Sequence, residues 1–304
     1  MPFSGKILIT GASGLIGSRL KKLFFDEKID YVELSRSVQN TEKAVYQWNP
    51  KESKMPPEAL NGVETIVNLA GTPIAEKRWT ESRKREIIES RIQSIHTLYT
   101  TLQSTNHSVK TIVSASAVGY YGNAGEEWMT EDHPPGNDFL SMTCKKWEAE
   151  VKKLEALGIR VVILRIGFVL AEHGGALPLM KLPVRFFAGS AIGGGGNQYL
   201  SWIHINDLCR IIYHVIQHQN FTGVYNAVTD APVTNKQFIQ TLARVMHRPF
   251  WPFSVPDFIL RLLLGEKAEI VIFGQRVSNT KIKSAGFQFQ YRDLNLVFQT
   301  LLKT

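Results

Sequence analysis

The sequence has 304 residues, 44% hydrophobic and 20% charged, which suits a large α/β domain with a smaller one attached and excludes a disordered polar chain. Lys and Arg outnumber Asp and Glu by 35 to 27, a formal charge of +8. The basic residues form no cluster interleaved with aromatics, so no nucleic-acid partner is expected.

The densest basic run, Arg83-Lys84-Arg85, is interrupted by Glu81, Glu86 and Glu89. It reads as a solvated helix face, with Glu81 four residues before Arg85 as in a surface ion pair. Cys144 and Cys209 stand apart, without CxxC or a His cluster, so neither a disulfide framework nor a metal site is expected. A reducing, cytoplasmic setting follows as the default. The longest apolar stretch, Val161 to Leu170, contains Arg165, and the first twenty residues have no secretory pattern. No membrane span and no membrane partner are expected.

In chain order, the first predicted strand, Lys6–Thr10, runs into Gly11-Ala-Ser13-Gly14-Leu15-Ile16-Gly17 and then a helix from about Leu15 with apolar Leu20, Leu23 and Phe24. A strand before and a helix after supply the tight turn and the free helix amides that a pyrophosphate needs. The glycine loop is therefore read as a dinucleotide site. The second strand, Tyr31–Leu34, ends at Ser35-Arg36, where an acidic residue would select the ribose hydroxyls of NAD. A hydroxyl and a guanidinium suit a 2′-phosphate instead, so NADP(H) is expected. Glu33, two residues upstream, is the counter-signal.

A third strand, Thr65–Leu69, leads to Asn68-Leu69-Ala70-Gly71, small enough for a ribose or nicotinamide to pass close. Ile88, Ile92, Ile95, Tyr99 and Leu102 then recur at helical steps and predict a crossover helix buried on that face. Strands Thr111–Ser114 and Val161–Ile166 follow, and the alternation calls for a doubly wound parallel Rossmann sheet. Residues 1–170 are assigned mainly to it, with 201–230 returning to it. Past Gly174 come glycines 193–196, prolines 249, 252 and 256, and helical patterns at Pro256–Leu264 and Asp293–Leu302. Residues 171–304 are read mainly as a substrate-side region with a small C-terminal domain.

The motifs together resemble the atypical extended short-chain dehydrogenases, the NAD-dependent epimerase/dehydratase-like YfcH family. They are ITGASGLIG at 9–17, LSR at 34–36, VNLAG at 67–71, RWTESRKREIIESR at 78–91, SASAVGYYG at 114–122, LRIGFVL at 164–170, SWIHINDL at 201–208 and AGFQFQY at 285–291. The resemblance implies cofactor contacts at the glycine loop, at Ser35 and Arg36, at Leu69, Ala70 and Gly71, at Glu86 and Arg91, and at Val169.

It also exposes a gap. Relatives use a Tyr-x-x-x-Lys pair for proton transfer, and none of the nine tyrosines here has Lys four residues on. If Glu148 matches the glutamate that follows the family lysine, Leu140 and Cys144 replace the pair. Ser116 matches the usual catalytic serine, and Tyr120 and Tyr121 are candidate substitute acids; a strand-end serine can equally satisfy local backbone, and such tyrosines can simply line a pocket. His204 and Asp207 read as anchors of the substrate side, with Asp207 a helix N-cap. Two functions stay open: an NADP-dependent oxidoreductase or epimerase on a small polar molecule, or a non-catalytic NADP(H) sensor. A homodimer is compatible with either.

Overall fold

The computed structural model describes residues 5–37 and 45–302. Its centre is a seven-stranded parallel sheet: β1 Lys6–Thr10, β2 Tyr31–Ser35, β3 Val45–Gln47, β4 Val63–Asn68, β5 Thr111–Ala117, β6 Arg160–Ile166 and β7 Gly223–Ala227. The spatial order is β7-β6-β5-β4-β1-β2-β3. The chain thus leaves β1 in one direction and resumes on its other side at β4. That reversal opens a crevice at the carboxyl ends of β1 and β4, where open α/β sheets bind ligands.

Alternation along each strand explains the layers, because successive side chains point to opposite faces. Ile7 and Ile9 pack with Leu20 and Phe24 of helix α1, Leu15–Asp26, and with Ile211 and Val215 of a helix at Ile205–Gln217. Leu8 and Ile66 face the other way, onto Ile95 and Leu98 of helix α2, Glu81–Ser104, and Trp147 and Val151 of helix α3, Phe139–Lys152. The sheet is a Rossmann arrangement, as its alternating strands and helices required.

A satellite core gathers Trp202, Phe238 and Phe298 under helices Leu177–Arg185, Asn235–Val245 and Leu294–Leu302. The Ile205–Gln217 helix and β7 return to the sheet between its segments.

Local details differ from the expected ones. The strand at Val45–Gln47 carried too short an apolar signal to be predicted, so Val63–Asn68 is the fourth strand rather than the third. The buried stripe of α2 is rotated: Ile87, Ile95, Leu98 and Leu102 are buried with Arg83, Ser94, Thr97 and Thr101, while Ile88, Ile92 and Tyr99 are only partly covered. Buried hydroxyls hide that stripe from an apolar count, because Thr97 and Thr101 satisfy themselves on helix carbonyls. Arg83 is not solvated. It is 7% exposed, donating to the Pro73 carbonyl at 2.6 Å and to Glu86 at 2.8 Å. Glu81 pairs with Lys84 at 3.2 Å instead of Arg85.

Candidate functional site

The glycine loop bends at Gly11, whose φ of +68° lies in the left-handed region that favours glycine. A Cβ there would stand 2.7 Å from the Leu69 carbonyl oxygen, and one on Gly17 would stand 2.5 Å from the Gly11 oxygen. These two glycines let the turn press against both the β4 exit and the first turn of α1. Gly14 caps α1 without a side-chain acceptor, and no acidic residue lies in that first turn. The amides of Leu15 and Ile16 and the helix dipole thus meet no carboxylate from the helix's own first turn, and the residues fit an anion such as a dinucleotide's diphosphate.

The β4 exit is held by a buried chain of hydroxyl and amide groups. Thr10 Oγ1 donates to Asn68 Oδ1 at 2.8 Å, and Asn68 Nδ2 donates to Ser114 Oγ at 3.0 Å, tying β1, β4 and β5 at their carboxyl ends. The amides of Leu69 and Ala70 both reach Thr10 Oγ1 at 3.2 Å, which shapes the 69–71 turn beside Gly11. Both amides are therefore engaged within the protein. At the end of β2, Arg36 is exposed, and Ser35 Oγ donates to the Ser37 carbonyl at 2.7 Å. Glu33 is paired with Lys21 of α1 at 3.0 Å through Oε2.

Glu86 and Arg91, both on α2, part company. Glu86 is exposed and bound to Arg83. Arg91 lies under Gly71, its Nη1 donating to the carbonyls of Ile87 at 2.8 Å and Thr72 at 3.2 Å, over the Trp147 ring at 5.1 Å. Burial pushes the pKa of its guanidinium down from the usual arginine range. Val169 sits on a short strand, Phe168–Leu170, paired with Trp202–His204, and the glycines 174 and 175 beyond it close onto Leu15 at the start of α1.

Arg91 also lines a cavity of about 190 Å³ at the ends of β5 and β6. Its walls include Ala117, Gly119, Ile166 and Gly167 from the sheet side and Leu140 and Cys144 from α3. Glu269, Ile270, Phe273 and Gln275 roof it from the C-terminal region. Leu140 and Cys144 thus occupy the cavity wall on one face of α3, with Glu148 one turn further on. Burial pushes the Cys144 thiol up to about 11, so it is a neutral thiol at ordinary pH. Glu269 carries the opposite tendency to an exposed carboxylate: burial, and then the negative charge of Asp138, push its pKa upward. The sequence offered no cue to Glu269, since nothing local marks it and only folding brings residue 269 to α3.

Ser116, Tyr120 and Tyr121, the three candidate catalytic side chains, do not line that cavity. Ser116 is 3% exposed and donates to Glu148 at 2.7 Å. Tyr121 donates to Asn226 Oδ1 at 2.7 Å and accepts from Arg165 at 3.0 Å; burial pushes its phenol up to about 12. The Arg165 guanidinium lies over the Tyr120 ring, 3.4 Å from the ring centroid, and burial raises the Tyr120 pKa. All three surround Arg165, behind the cavity wall. They interlock β5, β6, α3 and β7, because a buried arginine needs that many acceptors and faces.

His204, not Asp207, caps the Ile205–Gln217 helix, accepting from the Asn206 amide at 3.2 Å. Asp207 is fully buried and holds the amides of Gln290 and Tyr291 and the Arg210 guanidinium, so it anchors the C-terminal segment to the sheet. No helix among the described residues is long and apolar enough to cross a membrane.

A family model described as the NAD dependent epimerase/dehydratase family matches residues 7–227, and one described as a domain of unknown function matches residues 255–301. The epimerase family protein YfhF of Bacillus subtilis (strain 168) is 39% identical over 300 residues, covering 97% of each chain. The structure of human epimerase family protein SDR39U1 (isoform 2), solved with NADPH, superposes with a TM-score of 0.88 at 28% identity over 98% of this chain and 99% of that one. A nucleoside-diphosphate sugar epimerase from Corynebacterium glutamicum gives 0.80 at 28% identity, over 99% of this chain and 58% of its own.

Proposed function

Because this chain belongs to the NAD dependent epimerase/dehydratase family, we propose that it binds NADP(H) across the β1–β4 crevice and uses it in redox chemistry on a small polar molecule held in the cavity beneath Glu269. The observation that carries this reading is the shared geometry: the uncapped start of α1 and the cavity open at the same carboxyl edge of one sheet.

The amides at Ser13, Leu15 and Ile16 would hold the diphosphate, and Ser35 with Arg36 the 2′-phosphate. Leu69, Ala70, Gly71 and Val169 would border the ribose and nicotinamide. Bound there, the nicotinamide supplies or accepts the hydride. What the chain itself must do is orient the substrate and manage one proton. With Leu140 and Cys144 in place of a phenol and an ammonium, Glu269 is a cavity carboxyl whose pKa burial and then Asp138 raise, as a proton donor requires. Arg91 offers the opposing positive charge on the same wall.

The NADPH-bound human relative supports the choice of the phosphorylated cofactor, and the pairing of Glu33 with Lys21, which offsets part of its negative charge, is compatible with it. Calorimetry with NADPH and NADH tests it: NADPH should bind more tightly, and Arg36→Ala should weaken NADPH by about tenfold or more while leaving NADH unchanged. Incubation with NADPH and a panel of carbonyl compounds and sugar nucleotides then tests turnover. A second reading, a non-catalytic NADP(H) sensor, is favoured by the aliphatic and thiol side chains at positions 140 and 144; tight binding with no turnover across the panel would select it.

A further inference from the structure

Nine of the thirteen large hydrophobic side chains that the described residues expose fall in two segments, 177–192 and 247–264. Phe186 is 70% exposed, Phe253 73% and Leu262 76%. The two segments join in space. Strand Gly189–Ile192 pairs in parallel with Phe250–Val255, Trp251 Nε1 donates to the Phe187 carbonyl at 2.7 Å, and the Arg248 guanidinium lies 4.7 Å from the Phe187 ring centroid. A register shift between Trp251 and Ser254 bulges the strand outward at Phe253. Phe187 itself is held at a φ of +62°, a conformation that a bulky residue rarely adopts, with its ring still exposed.

The charges within the two segments are one-sided. Lys181, Arg185, Arg248 and Arg261 lie in the two segments, against a single acidic residue, Asp257. Asp257 is already engaged, accepting from the Gly194 amide at 3.0 Å. A second copy of the chain meeting this face by two-fold symmetry would bring like charges together. An apolar surface edged with aromatics and cations instead matches the boundary of an anionic bilayer, where rings enter the headgroup layer and cations meet lipid phosphates.

We propose that this face docks the protein on the surface of a membrane rich in anionic phospholipid. This departs from the expectation of no membrane partner, which rested on the absence of a spanning run; a surface contact needs only an exposed face, and exposure is a product of tertiary folding. The proposal is independent of the cofactor reading.

Sedimentation of the full-length protein with vesicles tests it, using phosphatidylcholine alone and phosphatidylcholine with about one-third phosphatidylglycerol. The protein should pellet with the anionic vesicles and remain in solution with the neutral ones. Leu182→Ser combined with Phe186→Ser, and separately Arg185→Glu combined with Arg248→Glu, should each weaken binding by about tenfold or more. Unchanged circular dichroism and melting would show that both variants are folded. Failure to pellet with anionic vesicles overturns the proposal, as does equal pelleting with both. A concentration-dependent dimer in ultracentrifugation that Leu182→Ser with Phe186→Ser dissociates would also overturn it and seat a second copy there instead.

Discussion

Arg165 grips the Glu148 carboxylate with two parallel hydrogen bonds, Nε to Oε1 and Nη2 to Oε2, each 2.9 Å and both side chains nearly sealed from solvent. The pair links β6 to α3, and the Ser116 hydroxyl completes it from β5. A residue that resembles a catalytic serine by position is thereby part of the framework behind the cavity.

Removing one partner of that pair leaves a buried charge without compensation. Glu148→Ala should therefore cost about 3–5 kcal/mol of unfolding free energy. Ser116→Ala removes one hydroxyl donor to the carboxylate while Arg165 stays in place, and should cost less, about 1.5–3 kcal/mol. Urea denaturation of the two variants checks the order. A Ser116→Ala protein of undiminished stability that had lost all turnover would instead put this hydroxyl at the reacting atoms.

Gly17 and Gly62 make a matched contrast. A Cβ on Gly17 meets the Gly11 oxygen at 2.5 Å and the Ala12 Cα at 2.7 Å, so Gly17→Ala must push the loop away from α1. Affinity for NADPH should fall at least about tenfold in calorimetry. Gly62 has a φ of +72° but nothing within 4 Å of the added atom. Gly62→Ala should thus lower stability by about 1 kcal/mol and leave affinity unchanged.

His204 makes acid stability testable. Burial first, and then the positive charge of Arg19, lower its pKa from 6.5 to about 4. The unfolded chain therefore takes up the proton more readily than the folded one. The stabilising contribution is complete above pH 6.5 and declines as pH falls towards about 4, by about 1.4 kcal/mol per unit at most. Its stacking on Tyr291 at 3.7 Å and its capping bond to Asn206 both suit the neutral ring. His204→Asn keeps a capping side chain and should flatten the decline of melting temperature between pH 6.5 and 4.5. An identical slope in both proteins would remove His204 as the cause.

Much of the sheet and the phosphate loop was legible because their signals are contiguous: Ile7, Leu8 and Ile9 form an apolar run inside Lys6–Thr10, and Gly11, Gly14 and Gly17 follow it directly. The spacing of Leu140, Cys144 and Glu148 was equally readable, since steps of four place them along one face of α3. The surroundings of Ser116 were not. Glu148, Arg165, Tyr121 and Asn226 come from four elements spread over more than a hundred residues, and only their register brings them together. Arg83 was misjudged for a related reason. Its burial depends on the Pro73 carbonyl, which a loop delivers to it.

Glu269 and Asp138 line the same cavity, and after burial the negative charge of Asp138 is the next cause that raises the pKa of the Glu269 carboxyl. If Glu269 gives a proton to a substrate oxygen during reduction, activity is present below its raised pKa and is lost as pH rises through it. Glu269→Gln should then abolish substrate-dependent NADPH oxidation while preserving NADPH affinity, because the side chain borders the cavity rather than the glycine loop. Asp138→Asn removes a negative charge yet retains a capping group, since Asp138 accepts from the Ser141 amide at the start of α3 at 2.9 Å. It should move the alkaline limb of the rate profile to lower pH, because the larger of the two negative charges opposing ionisation of Glu269 is gone while burial and Glu266 remain. Steady-state rates across pH for the three proteins measure this, and an alkaline limb unmoved by Asp138→Asn would detach Glu269 from the proton step.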